Sequence, residues 1–187
     1  IGASEREGSL GSVLVRNLLD GGFKGKIFAI NPTRETVHGL TCYKSVEEVP
    51  HRLDLVVIAV KAQLVPAIME SCGHAGVKAA IVLSAGFSET GPRGAALERR
   101  ISEAAKRHRI RLLGPNCLGV MRPQQGLNAT FAHTGALKGS IGLISQSGAL
   151  CAAILDWAKP NNVGLSAVVS LGSPSDTDFA AVLDYML

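Results

Sequence analysis

Aromatic residues make up only 4% of the 187-residue chain. A chain this poor in them is not patterned as an aromatic-rich β-sandwich or as a stacking surface for nucleic acid. Long hydrophobic runs are also missing. No stretch approaches the roughly 18 unbroken apolar residues of a membrane span, and no charged-then-apolar segment of signal-peptide type opens the sequence. Cys42, Cys72, Cys117 and Cys151 stand far apart, with neither a C-x-x-C pair nor zinc-ligand spacing. They read as reduced thiols of a cytoplasmic protein, and no metal site is expected. The formal charge of +4 is modest, and the pI lies near 9.0. Arg99, Arg100, Lys106, Arg107, Arg109 and Arg111 form the one dense basic cluster, on a helix and its exit. A solvated helix face explains them better than a nucleic-acid site, and a small anionic ligand explains the mild basicity as well.

What is present is glycine, 21 residues of it, within a chain that is 47% hydrophobic. That combination suits an α/β protein with close helix-on-sheet packing, and the length suits one full domain plus part of another. The chain opens at Ile1 in what reads as the end of a strand and stops at Leu187 inside a helical pattern, so both ends read as cuts. Apolar runs bounded by turn residues alternate with stretches of helical period, as in βαβ units. Strands are expected at 26–30, 53–60, 79–84 and 111–113, with a first strand mostly lost before Gly2. Helices are expected at 10–19, stopping at Gly21-Gly22, at 64–72 and at 94–108. Ser45 to Glu48 fits a capping box. The alternation lapses at 124–138, then resumes with a strand at 141–144, a helix at 148–158, a strand at 165–171 and a helix at 176–187.

Parallel α/β sheets bind ligands where the strands end, so the residues directly after each strand carry the chemistry. Gly2-Ala3-Ser4 runs through Gly8, Ser9 and Gly11 into a helix, a small-residue loop suited to bringing backbone N–H groups up to a phosphate. It lacks the G-x-G-x-x-G spacing of a nicotinamide-dinucleotide site, and Asn31-Pro32 stands where the ribose-binding acid would be. Arg34 follows and can meet a ribose phosphate. The later strand ends give Val60-Lys61-Ala62, Ser84-Ala85-Gly86 and the 114–119 loop. At Ser145 to Ala149 a strand meets a helix, so hydroxyls and free N–H groups face an anion with the helix dipole behind them. Structural capping by Ser147 is the competing reading, and the G-x-S-x-G frame of a hydrolase elbow is absent.

Six segments, IGAS at 1–4, INP at 30–32, LSAGF at 83–87, GPNCLG at 114–119, GLNATF at 126–131 and SQSGA at 145–149, occur in one order, with ILDWA at 154–158 following. In that order they resemble the succinyl-CoA synthetase superfamily, more closely its ADP-forming acyl-CoA synthetases and the bacterial lysine acetyltransferases that join such a region to a GNAT domain. The resemblance covers essentially the whole chain. It implies an α/β Rossmann-like, parallel-sheet CoA-binding domain at 1–123, a connection at 124–138 and the start of a flavodoxin-like ligase domain at 139–187.

By the same resemblance, Gly2, Ala3, Ser4, Gly11 and Ser12 line the diphosphate of CoA or acyl-CoA. Asn31, Pro32 and Arg34 meet the adenosine end, and Val60, Lys61 and Ala62 the pantetheine arm. Ser84, Ala85 and Gly86 approach the thiol, with Asn116 and Cys117 near the thiol and acyl group. Ser147, Gly148 and Ala149 form a phosphate or acyl-phosphate station. No catalytic residue is assigned: Cys117 has no neighbouring His, and His74, although its GHAG setting at 73–76 copies a phosphohistidine motif, sits at a helix end. His133 reads as solvated. The phosphohistidine, the ATP-grasp region, and ATP or ADP with Mg belong outside these residues. The loop at 172–176 departs from the acidic pattern common there. Two other readings stand beside the ligase: an acyl-CoA-sensing region of a GNAT-type acetyltransferase, and an NADP-dependent oxidoreductase. The expected partners are CoA, a carboxylic acid, an ATP-grasp domain or subunit and a further copy of the chain.

Overall fold

The computed structural model describes residues 1–173 and 175–186. Five α-helices and ten short strands alternate along them. The strands are β1 (Ala29–Ile30), β2 (Thr36–Val37), β3 (Leu40–Tyr43), β4 (Leu55–Ile58), β5 (Ala79–Val82), β6 (Arg111–Leu113), β7 (Gly119–Arg122), β8 (Leu127–Thr130), β9 (Leu137–Ser145) and β10 (Gly164–Ser170). The helices are α1 (Leu10–Asp20), α2 (Val65–His74), α3 (Pro92–His108), α4 (Gly148–Ala158) and α5 (Phe179–Met186).

The first sheet has β4, β5 and β6 side by side and parallel. Beside it β1 pairs in parallel with β3, and β3 pairs antiparallel with β2. Ile1 and Gly2 bridge the two groups. The Ile1 ammonium donates to Val57 O at 2.6 Å, Ala59 N donates to Ile1 O at 2.9 Å, and Gly2 N donates to Ile30 O at 3.0 Å. The chain leaves this position to β1 on one side and β4 on the other, which is the switch point where ligands of open α/β sheets lie.

Strand alternation divides the core into two faces. Val56, Ile58, Ala80, Val82 and Leu112 pack with α2 and α3 around fully buried Phe87, Met69 and Ile101. Ile81, Leu83 and Leu113 point the other way, onto Leu14 of α1, Val169 of β10, Leu171 just after it and Val182 of α5. That second sheet has the order β8, β7, β10, β9, with β9 and β10 parallel and the others antiparallel. Leu155 and Cys151 of α4 cover it with Leu165 and Val168. Asn17 Nδ2 of α1 donates to the carbonyls of Thr130 and Ala132 at 2.9 Å, tying the first helix to β8.

Several local expectations change. The expected connection at 124–138 contains β8 and the start of β9, because a hairpin turning at Gly126 (φ +68°) returns the chain onto β7. The Ser45–Glu48 capping box starts no helix. The segment is a turn in which the Glu48 carboxylate accepts from Lys44 N, and Val46 and Val49 are buried; with Pro50 so close, the core gains more from two inserted valines than from a single helical turn. The left-handed residue after α1 is Gly22 (φ +78°), while Gly21 keeps helical angles. The second hairpin, β2 to β3, had no signal of the Asn-Gly kind. It turns on His38 and Gly39, both at positive φ (48° and 79°), as a two-residue primed turn requires. The last helix begins at Phe179 rather than at 176, since Asp176 Oδ2 accepts from Leu112 N instead; Leu187, its expected last residue, lies outside the described residues, as does Pro174 in the 172–176 loop.

Candidate functional site

The strand-end loops form one continuous edge, held together by backbone contacts. At one end the Asn31 side chain donates to Ala3 O at 2.7 Å and its oxygen accepts from Thr33 N, Thr33 Oγ1 and Arg34 N. Asn31 thereby fixes the Pro32–Arg34 turn against the Gly2–Ser4 loop. Arg34 and Pro32 are exposed there.

Gly2 (φ +87°) and Gly11 make the next contact. A Cβ on Gly11 would overlap the Gly2 carbonyl oxygen, and one on Gly2 would stand 2.8 Å from Val60 Cγ1. Only glycine lets the start of α1 lie directly on the loop. Ser9 caps α1, its Oγ accepting from Ser12 N at 3.3 Å. Gly8 (φ +71°) has open space on its Cβ side. Small residues, a helix N-terminus and open space together fit an anionic group.

From Val60 the edge continues through Ser84, whose Oγ donates to Val60 O at 2.5 Å. Ala62 is buried, with its Cβ 3.0 Å from where a Gly86 Cβ would sit, while Lys61 and Ala85 are exposed. Asn116 N then donates to Ser84 O at 2.9 Å, in a left-handed residue (φ 55°). Glu89, unanticipated from sequence, lies here. Partial burial pushes its carboxyl up, but donation from Gly86 N at 2.5 Å and from Phe87 N at 3.1 Å prevails and holds it below the usual carboxylate range. It fixes the Gly86 loop.

Cys117 belongs to this loop only through its backbone. The side chain is 2% exposed and donates to Val82 O at 3.4 Å, and burial pushes the thiol up to about 12. A nucleophilic cysteine needs a thiolate and access, so a covalent role is excluded at neutral pH. Gly172 packs against the same turn, where a Cβ would meet Pro115 O, and Gly172 N donates to Gln146 O at 3.2 Å. By this link the 145–149 loop joins the edge. Ser147 caps α4, its Oγ accepting from Leu150 N at 3.2 Å. Ser147 and Ala149 are exposed and Gly148 is half-buried.

Other candidates fall elsewhere. His74 ends α2, five residues before β5 begins, and so stands at the amino edge of the sheet, stacked edge-on to His108 with ring centroids 5.4 Å apart. His108 Nε2 and Arg107 Nη1 both reach Glu70, at 2.8 and 2.7 Å. The basic cluster on α3 is exposed, as a solvated face should be. Among the described residues no group of three or more His, Cys, Asp or Glu side chains could hold a metal ion, and no helix is long and apolar enough to cross a membrane.

A cavity of about 530 Å³ lies between β1 and β4 beside Ile1, lined by apolar side chains including Leu14, Phe28, Leu53, Leu55 and Val57. Lys26, His51, Arg52 and Asp54, ahead of β1 and β4, also line it, as does Ala3 of the first loop.

The fold and its edge thus define an α/β protein whose strand-end loops line up along the carboxyl ends of parallel strands, the edge where such sheets take ligands. Two family models match: a CoA binding domain over residues 1–123 and a succinyl-CoA ligase like flavodoxin domain over residues 138–187. The chain belongs to the CoA-binding domain family. The ADP-forming acetate–CoA ligase of Methanocaldococcus jannaschii is 48% identical over 187 residues, covering 100% of this chain and 26% of that protein. Ligase I of Archaeoglobus fulgidus is 45% identical over 186 residues, covering 100% and 27%. The dinucleotide-forming acetyl-coenzyme A synthetase 1 of Ca. Korarchaeum cryptofilum, solved with phosphate and ADP, superposes with a TM-score of 0.95 at 41% identity, covering 99% of this chain and 39% of that one. The chain thus spans about a quarter of the curated ligases and two fifths of the solved one. The acetyltransferase alternative gains no support from these relatives.

Proposed function

We propose that this chain holds CoA for an ADP-forming ligase that joins a carboxylic acid to the CoA thiol. The unbroken edge from Arg34 through Gly2–Ser12, Val60–Ala62 and Ser84–Gly86 to Asn116 carries this reading. Gly2, Ala3, Ser4, Gly11 and Ser12 offer N–H groups and the α1 terminus to the diphosphate. Arg34 meets the adenosine phosphate, and Val60–Ala62 lie along the pantetheine arm. The thiol then arrives between Gly86 and the 116–117 turn. Ser147, Gly148 and Ala149, linked to that turn through Gly172, hold the phosphate of an acyl phosphate. The thiol sulfur attacks the acyl carbon, the C–S bond forms, the C–O bond to phosphate breaks, and phosphate leaves, taking up the thiol proton. What these residues contribute is proximity and orientation.

The acyl phosphate, its phosphohistidine, and ATP or ADP with Mg would come from an ATP-grasp domain or subunit outside these residues. The relatives described as ligases, one of them solved with phosphate and ADP, support that assignment. Residues 1–123 would form the CoA domain, 124–138 the connection and 139–187 the start of the ligase domain, working in the cytoplasm as part of a larger assembly. Titration calorimetry with CoA tests the reading. Saturable binding is expected, stronger for CoA than for dephospho-CoA because Arg34 would lose its phosphate. Absence of heat at about 1 mM CoA, a free energy weaker than roughly 4 kcal/mol, overturns it.

A further inference from the structure

The β2–β3 turn sets a histidine on the CoA-facing helix. His38 Nε2 lies 3.2 Å from Ser12 Oγ, in the first turn of α1, and Ser12 is 3% exposed. The turn is fixed on both sides. His38 N donates to Glu5 Oε1 at 2.9 Å, and Val37, fully buried, packs with Ala3 and Val15. The imidazole is thereby anchored to the same loop and helix terminus that would take the diphosphate.

The chemistry of the pair depends on one proton. In the tautomer with its proton on Nδ1, a neutral imidazole accepts the Ser12 O–H through Nε2, so the hydroxyl hydrogen is spent inside the protein. An imidazolium donates from Nε2 to Ser12 Oγ, and the Ser12 hydrogen is released toward an anion. We propose that His38 is a positioning residue of the CoA site whose protonation turns the Ser12 hydroxyl into a phosphate donor, so that CoA is held more tightly in mildly acid than in mildly alkaline solution. This rests on Gly2–Ser12 being the diphosphate loop.

The other charged groups on the elements around it are Glu5, Arg6 and Glu7 of the loop, Arg16 of α1, and Arg34 and Glu35 ahead of β2. Carboxylates and guanidinium groups keep their charge across the neutral range. Cys42 on β3 does too, since burial first and Glu5 second push its thiol up. Imidazole is the group whose charge changes there.

The test uses dephospho-CoA, whose diphosphate holds a constant charge in the range studied, alongside CoA. For the natural chain the Kd for dephospho-CoA should rise roughly tenfold between about pH 6 and about pH 8, the factor expected when the ligand makes the imidazole about ten times harder to deprotonate. His38→Gln keeps the reach to Ser12 without a titrating proton, and His38→Asn suits the left-handed turn; both should show a Kd that changes less than about twofold over that range. The His38 imidazole resonance should titrate at higher pH in the complex than in the free chain. An unchanged pH slope in either folded variant, or an imidazole titration unmoved by saturating ligand, overturns the proposal and leaves the CoA reading intact. If the natural chain binds neither ligand at any pH, the CoA reading itself fails and this inference goes with it.

Discussion

The molecule contains two strand-to-helix turns of the same local design. Ser9 begins α1 and Ser147 begins α4, and each hydroxyl accepts the N–H three residues on, at 3.3 and 3.2 Å. Around Ser9 the chain closes in. Gly11 lies on Gly2, Ser12 is buried, Asn31 ties its turn to Ala3, and His38 reaches across from the hairpin. Around Ser147 the surface opens: Ala149 is exposed, Leu150 is 52% exposed and Trp157 further along α4 is 59% exposed. A capped helix terminus is a common local motif, and only the residues brought to it from elsewhere turn one into a built site.

The sharpest way to break that comparison is to add a side chain to the glycine of each turn. Gly11→Val forces α1 off the Gly2 carbonyl. It should cost on the order of 3 kcal/mol or more by thermal unfolding, with loss of measurable CoA binding. Gly148→Ala meets Leu118, its Cβ at 3.2 Å and its backbone N at 3.4 Å. It should cost about 1 kcal/mol or less. Equal losses in the two variants would show that the two turns are packed alike.

Removing the caps asks a finer question. Ser9→Ala and Ser147→Ala should each lower stability by about 1 kcal/mol, since each leaves one helix donor without a partner. Ser9→Ala alone should also weaken CoA binding. If Ser147→Ala weakens it equally, the diphosphate lies nearer the second turn than proposed.

The smallest expected effect concerns the thiol between the two turns. With its folded value near 12, Cys117 should stay unmodified by iodoacetamide at about pH 8 for as long as the chain is folded, read by mass spectrometry of its peptide. The folded value is raised, so the neutral buried thiol contributes its full stability below the unfolded value of about 8.5. That contribution declines as pH rises from there toward the folded value. Rapid labelling of Cys117 at neutral pH would mean that the 114–119 loop opens.

Much of the edge was legible because parallel strands end where ligands bind, and glycine, asparagine and serine after an apolar run mark those ends. Helices α3 and α4 were readable from period and glycine or proline punctuation almost to their ends. The hairpins were not. β7, β8 and β2 are two to four residues long, too short for alternation to register, and they exist because the neighbouring sheet supplies their hydrogen bonds. Asn31 read as a ligand contact, and folding adds that its oxygen and one amide N–H also tie the loop together. Glu89 and His38 went unnoticed since each acts on residues that only folding brings near.

The sequence by itself determined the alternating elements, the small-residue loops and, through six ordered segments, the family, because backbone reach, capping and strand period are local properties. Tertiary structure decided which of those loops meet, that Cys117 faces the core, that Gly172 links the two halves of the edge and that His38 stands over Ser12. Those are distances between residues far apart in the chain, set by how two faces of one sheet bury their side chains, and no local pattern encodes them.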